Sequence, residues 1–172
     1  GKNDKAVENY KNIINNYKSS SYVKRALLQY ALIEYNGSNI DNALTMYKGI
    51  VEQYPGSQES MTALNMIQNI YRKKNDIDSF SNYLKQIGGY DNVTEAQLDS
   101  LSFEVAQELY LDGDCEKAMP LFKSYLQKYG DGFFKINVHY YLGDCLYNRG
   151  YLTDALPHFE YVLQQPHSGF TE

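Results

Sequence analysis

A regular spacing of small residues constrains the fold of this chain more than any other feature of its sequence. Five short polar segments each end in a small residue, and successive small residues lie 37, 36, 39 and 37 positions apart. These residues are Ala6, Ala43, Ser79, Ala118 and Ala155. Four and seven positions after each one comes an aromatic or aliphatic residue, with Gln86 as the exception. This spacing marks one face of an amphipathic helix, so the sequence predicts five related helices in an internal repeat.

A second helix is predicted before each of the last four. Twelve residues before three of the small residues lie Ala31, Ala106 and Gly143, where two helices can approach closely, and only Ile67 departs from this pattern. These first helices are predicted to begin near Ser19–Ser21, Ser57, Thr94 and Gly132, with Thr94 and Gln97 forming a capping box. Predicted stop signals of the second helices are Tyr54-Pro55-Gly56, Gly88-Gly89, Tyr129-Gly130 and Pro166.

Paired helices with small residues at these positions resemble the tetratricopeptide repeat family. The resemblance implies an all-α fold, a right-handed superhelical solenoid of antiparallel helix hairpins with about nine helices. It divides a single domain of residues 1–172 into a half repeat at 1–18, full repeats at 19–56, 57–93, 94–131 and 132–166, and the start of a further repeat at 167–172. We therefore expect the chain to be a piece of a longer array.

The repeat length points to a narrower resemblance. The units run 36–39 residues instead of the usual 34, with the extra residues at turns such as Tyr54-Pro55-Gly56-Ser57. Such repeats are similar to those of bacterial envelope proteins in outer-membrane assembly and the Tol-Pal system. This resemblance favours the bacterial periplasm or cell envelope and leaves the cytoplasm open.

The resemblance also implies where a partner would bind. In this family the second, fifth, ninth and twelfth positions of each repeat line the concave groove, and we predict the binding site at the last three of these positions. The corresponding residues are Leu28, Leu32, Tyr35, Leu64, Gln68, Tyr71, Phe103, Gln107, Tyr110, Tyr140, Asp144 and Tyr147. We expect this groove to bind a peptide or helix of a protein partner. The alternative is a structural spacer in a larger envelope protein, in which the recurring tyrosines only pack one repeat on the next.

Composition and charge disfavour several other partners. The formal net charge is −5, without the cluster of lysines and arginines that nucleic acid requires. No apolar run approaches the roughly 20 residues of a membrane span, so direct membrane insertion is not expected. The groove positions also lack the paired cations with which some members of the family grip a terminal carboxylate.

Residues that could carry chemistry are sparse, and we expect no enzyme, no cofactor and no catalytic or metal-binding residue. His139 and His158 stand singly in the sequence, which favours structural roles. Cys115 and Cys145 fall at neighbouring helix ends in the repeat, so they either form a disulfide or serve as small buried apolar residues.

The first predicted helix carries an apolar stripe with no predicted helix before it. The stripe consists of Val7, Tyr10, Ile13, Ile14 and Tyr17. Ends of a solenoid need polar caps to remain soluble, so self-association through such uncapped ends is expected.

Overall fold

The chain folds into helices throughout the part that the structure describes. A computed structural model describes residues 2–89 and 93–165, and within these ranges it contains nine α-helices and no strand. They are α1 (Lys2–Asn16), α2 (Tyr22–Asn36), α3 (Ile40–Gln53), α4 (Gln58–Lys73), α5 (Ile77–Ile87), α6 (Glu95–Leu111), α7 (Cys115–Lys128), α8 (Lys135–Asn148) and α9 (Leu152–Leu163). The predicted all-α fold is confirmed. None of these described helices has the length and apolar character needed to cross a bilayer.

The chain divides into two compact units, Gly1–Ile87 and Gly88–Glu172. In the first unit, each helix from α1 to α5 packs on the next, and the same holds from α6 to α9 in the second. Short turns join these neighbours, so consecutive helices form antiparallel hairpins. Pro166 and the predicted further repeat at 167–172 lie outside the described residues.

The small residues of the repeat mark the closest approaches between helices. Ala43 and Ala118 are fully buried, and Ala155 is nearly so. At Gly143, an added Cβ would lie 3.0 Å from Cε1 of Phe159 and 3.2 Å from Cβ of His158. The predicted close contact between α8 and α9 is therefore confirmed, and it requires the absence of a side chain.

Side-chain caps define two of the predicted helix starts. Thr94 accepts a hydrogen bond from the backbone N–H of Gln97, whose side chain accepts one from the backbone N–H of Thr94, so the capping box is confirmed. Ser57 accepts a hydrogen bond from the backbone N–H of Ser60.

Helix α8 begins at Lys135, three residues after Gly132, near which its start was predicted. Gly132 instead permits a close approach: an added Cβ would meet the Tyr125 hydroxyl and lie 2.8 Å from Cβ of Tyr129. The glycine therefore belongs to the turn that packs against α7.

Candidate functional site

The predicted groove positions lie on the first helix of each repeat. These helices are α2 and α4 in the first unit and α6 and α8 in the second. In the first unit α2 contacts α4, and in the second α6 contacts α8, so each unit gathers these positions from two neighbouring helices. We call the set in the first unit the first face: Leu28, Leu32, Tyr35, Leu64, Gln68 and Tyr71. The set in the second unit is the second face: Phe103, Gln107, Tyr110, Tyr140, Asp144 and Tyr147.

The first face is only partly open to solvent. Leu64 and Tyr71 are buried, and the Tyr71 hydroxyl accepts a hydrogen bond from Lys48 Nζ at 2.9 Å. Tyr35 is half-buried, and its hydroxyl accepts a hydrogen bond from Lys73 Nζ at 2.7 Å. Leu28 and Gln68 are also half-buried, whereas Leu32 is exposed. Much of this face is therefore used in packing between repeats.

The second face carries a hydrogen-bonded cluster centred on Asp144. Its Oδ2 atom accepts hydrogen bonds from the Tyr110 hydroxyl at 2.9 Å and from Asn148 Nδ2 at 3.0 Å. Oδ1 accepts none from the described residues. Burial, together with the neighbouring Asp144, raises the pKa of Tyr110 to about 12, so the phenol stays protonated as a donor at neutral pH. The cluster therefore holds one carboxylate oxygen in place and leaves the other available.

Aromatic packing fixes the rest of the second face. Phe103 is buried and stacks on Phe134 with ring centroids 4.2 Å apart. Gln107 donates a hydrogen bond from Nε2 to the Tyr141 hydroxyl at 3.1 Å. Tyr140 is half-buried, whereas Tyr147 is 58% exposed. The four recurring tyrosines thus differ: Tyr71 is buried, Tyr35 and Tyr110 bond to the next first helix, and Tyr147 is open to solvent.

An open cavity of about 630 Å³ adjoins the second face. Its wall includes Tyr110, Asp144 and Asn148 from the predicted groove and its surroundings. The start of α7 contributes Asp114, Cys115 and Glu116 to the same wall, and Arg149 closes it. Asp114 already accepts a hydrogen bond from Lys117 Nζ at 2.6 Å, and Glu116 lies 3.9 Å from Arg149.

A disulfide joins Cys115 at the start of α7 to Cys145 near the end of α8. The sequence left open whether these residues are bonded or merely buried. Cys145 is fully buried, as expected of a small apolar residue, and it also forms the disulfide. The cross-link spans 30 residues and lies directly beside Asp144, so it holds the cavity wall together.

The two described histidines contact each other, a pairing that the sequence reading missed. Nδ1 of His139 lies 2.9 Å from Nδ1 of His158, and the His139 ring stacks on Tyr161 with centroids 3.9 Å apart. The repeat places these two residues on neighbouring helices, but it does not specify that their rings meet. His139 comes four residues before Gly143 and His158 three after Ala155, on helices that those small residues bring together.

We expect the histidine pair to make stability depend on pH. Burial, with contributions from His158 and Lys135, lowers the pKa of His139 to about 4, and burial also lowers the pKa of His158. A lowered folded-state pKa means that the unfolded chain binds more protons, so stability is complete above about pH 6.5 and declines toward pH 4. Allowing for solvent at the partly exposed rings, the loss should be about 2 kcal/mol.

Urea unfolding at pH values from 7.5 to 4 measures this loss. The matched control replaces both residues, His139→Gln and His158→Gln, which keeps polar side chains but removes their titration. As the pH falls, the free energy of unfolding of the wild type should decrease relative to that of the double glutamine variant. A difference that stays constant over this range would contradict the prediction.

The described residues contain no group of three or more His, Cys, Asp or Glu side chains that could hold a metal ion.

Comparison with known proteins gives a family match to part of the chain. Residues 25–57 match the family model of the tetratricopeptide repeat, a range that runs from within α2 to the residue before α4. The match covers one hairpin, so it supports a tetratricopeptide repeat over these residues and does not distinguish the envelope subtype. No curated protein sequence matches the chain.

Solved structures give distant likenesses. A crystal structure of MamA is 15% identical, with a TM-score of 0.42, and the match covers 94% of this chain and 81% of that one. A double mutant of MamA from RS-1 is 14% identical over 95% and 86% of the two chains, with a TM-score of 0.39. Apo PlcR from Bacillus thuringiensis is 21% identical over 94% and 67%, with a TM-score of 0.36. Scores this low say nothing about what this chain binds.

Proposed function

We propose that this chain is a protein–protein interaction scaffold that binds a peptide or helix of a partner on its groove residues, chiefly on the second face. The observation that carries the proposal is the arrangement around Asp144. Tyr110 and Asn148 hold its carboxylate, and exposed Tyr147 lies one helical turn away on α8. A free acceptor beside an exposed aromatic ring suits a polypeptide, which offers N–H donors and apolar side chains.

Preorganisation would be the source of affinity. Tyrosine gives a large contact area with few rotatable bonds, and the packed rings beneath the second face limit motion further. Binding of a partner would then cost less free energy for ordering the site.

Site-specific cross-linking tests this function. A photo-reactive amino acid at position 147 should capture a partner in the native cell, and the same residue at position 22 should not. Tyr22 is 68% exposed at the start of α2 and outside both faces, so it is a matched control.

The captured partner then allows a direct measurement. With purified partner, Tyr147→Ala should raise the Kd about tenfold or more, as expected for a tyrosine at the centre of an interface. Tyr22→Ala should leave the Kd unchanged, and both variants should unfold at the wild-type urea concentration. Equal capture from both positions, or a Kd within twofold of wild type for Tyr147→Ala, would refute groove binding.

A structural spacer is the second candidate. It is favoured by the bonds that Tyr35 and Tyr110 make to the next first helix of their own units. In a spacer these hydroxyls serve stability alone, so Tyr110→Phe would lower the free energy of unfolding by about 1 kcal/mol. The spacer also predicts that no partner is captured from position 147.

We place this scaffold in the bacterial cell envelope, with the periplasm as its compartment. The disulfide supports this placement, because disulfides persist in oxidising compartments and are rare in the cytosol. Alkylation of cell extracts prepared under acid, before any reductant is added, tests it. Cys115 and Cys145 should resist alkylation until they are reduced, whereas free thiols in cells would exclude this placement.

A further inference from the structure

The recurring tyrosine of the repeat has different neighbours in the two units. In the first unit, Lys73 at the end of α4 places its Nζ atom 2.7 Å from the Tyr35 hydroxyl and 5.2 Å from the centre of its ring. In the second unit, Tyr110 is the equivalent of Tyr35, and Arg149, just after α8, is the equivalent of Lys73. No lysine of the described residues contacts Tyr110, whose hydroxyl donates a hydrogen bond to Asp144 instead. The ammonium that the first unit holds on its tyrosine therefore has no counterpart in the described part of the second.

Open space adjoins Tyr110 in the second unit. Tyr110, Asp144 and Arg149 all line the cavity of about 630 Å³. Arg149 Nη1 lies 3.9 Å from Glu116 Oε2, so the guanidinium pairs with the start of α7. Cavities in this range of volume accept ligands larger than one amino-acid side chain. The second unit therefore has room for a group that another molecule supplies.

The charges around this cavity differ from those at the equivalent place in the first unit. Asp144 stands where the first unit has the neutral Gln68, and Gly150 stands where it has Lys74. Each difference makes the second unit more negative by one charge. Charge complementarity therefore favours a cationic group in the cavity.

Asp144 is the acceptor available to such a cation. Of the other carboxylates that line the cavity, Asp114 lies 2.6 Å from Lys117 Nζ, and Glu116 is paired with Arg149. Oδ2 of Asp144 already accepts two hydrogen bonds, whereas Oδ1 accepts none from the described residues. With Oδ2 engaged, the carboxylate does not offer both oxygens to the planar fork of an arginine, so the geometry favours the ammonium of a lysine.

We propose that the second face anchors its partner through a lysine side chain of that partner, with the ammonium between Tyr110 and Oδ1 of Asp144. The contact reproduces, between two molecules, the one that Lys73 makes with Tyr35 inside the first unit. The Tyr110 hydroxyl can accept from the ammonium while it donates to Asp144. Leu111 lines the same cavity and is 70% exposed, so it offers an apolar contact to the methylene stem of the lysine. This inference rests on the proposed scaffold function and specifies the chemistry of the partner.

Short peptides test the anchor directly. The probe is acetyl-Leu-Lys-Leu-amide, and its matched control carries an Nε-acetylated lysine, which keeps the stem but has no charge. Titration of the isotope-labelled protein, followed through the NMR signals of Leu111 and Asn148, gives both Kd values. The lysine peptide should bind about tenfold more tightly than the control, because acetylation removes a hydrogen bond between charged groups.

Protein variants locate the charge that the peptide contacts. Asp144→Asn keeps the size of the side chain and an acceptor for Tyr110, but it removes the negative charge. It should raise the Kd of the lysine peptide about tenfold and leave that of the acetylated peptide unchanged. The matched control is Asp131→Asn, because Asp131 is a solvent-exposed carboxylate of the same unit outside the cavity wall. It should change neither Kd, and urea unfolding verifies that both variants are folded.

Three results would overturn the lysine anchor. The first is an equal Kd for the lysine and acetylated peptides, and the second is equal weakening by Asp144→Asn and Asp131→Asn. The third is an arginine peptide that binds about tenfold more tightly than the lysine peptide. The partner captured from position 147 separates this inference from the proposed function. If that partner binds Asp144→Asn with a Kd within twofold of wild type, the scaffold function stands and the lysine anchor is wrong.

Discussion

Asp99→Ala is expected to lower the free energy of unfolding by about 3–4 kcal/mol. Asp99 is only 6% exposed, and its carboxylate links three segments of the second unit. Oδ1 accepts a hydrogen bond from the Tyr125 hydroxyl of α7, and Oδ2 accepts one from the backbone N–H of Phe133 at 2.9 Å. Alanine removes the acceptor of the buried Tyr125 hydroxyl and of the Phe133 N–H, whose hydrogen bond is part-buried. Each donor left unsatisfied costs about 1–3 kcal/mol, so the two losses together make this a large effect.

Urea unfolding followed by circular dichroism measures the change. Asp99→Asn retains the size of the side chain and one acceptor oxygen, so its loss should be intermediate. The matched control is Asp131→Ala in the same unit, where the carboxylate is solvent-exposed and lies 3.6 Å from Lys135 Nζ. That exposed ion pair should contribute less than about 1 kcal/mol. If Asp99→Ala cost no more than the control, the buried cluster would not stabilise the unit.

Loss of the disulfide between Cys115 and Cys145 is expected to cost about 3–4 kcal/mol. The cross-link closes a loop of 30 residues, and restricting such a loop lowers the entropy of the unfolded chain by about this amount. It also joins α7 to α8 at the cavity wall. The double variant Cys115→Ser/Cys145→Ser avoids leaving a free thiol and should therefore show the full loss.

The reduced protein provides an independent comparison. Wild type in dithiothreitol should unfold at a lower urea concentration, close to that of the double serine variant. Dithiothreitol should not change the unfolding of the double serine variant, which controls for direct effects of the reductant. A loss below about 1 kcal/mol in both comparisons would show that the disulfide contributes little to stability.

The repeat made most of the helical architecture predictable. The spacing of Ala43, Ala118 and Ala155 indicates where the second helix of each repeat approaches the first helix. Local signals such as the capping box of Thr94 and Gln97 mark helix starts. These are short-range properties, because a helix face and a cap involve residues within a few positions of one another. The start of α8 was predicted only to within three residues, because Gly132 lies in the turn that contacts Tyr125 and Tyr129.

The candidate site was less predictable, because exposure depends on what each neighbour covers. Tyr71 and Tyr147 occupy the same position of the repeat, yet Tyr71 is 8% exposed and Tyr147 is 58% exposed. The hydroxyl of Tyr71 is bonded to Lys48, and its ring packs near Phe80. A pattern repeated in one chain gives such residues identical predictions, although their surroundings differ.

The sequence by itself determined the all-α fold, the order of the helices and the small residues at their contacts. Helical periodicity and close packing both depend on the spacing of residues a few positions apart. Only the tertiary structure decided that Cys115 bonds to Cys145, that His139 meets His158, and that Asp99 accepts bonds from Tyr125 and Phe133. These pairs are separated by 19 to 34 residues. Their contacts depend on how side chains orient after the helices have packed, which residue spacing alone does not specify.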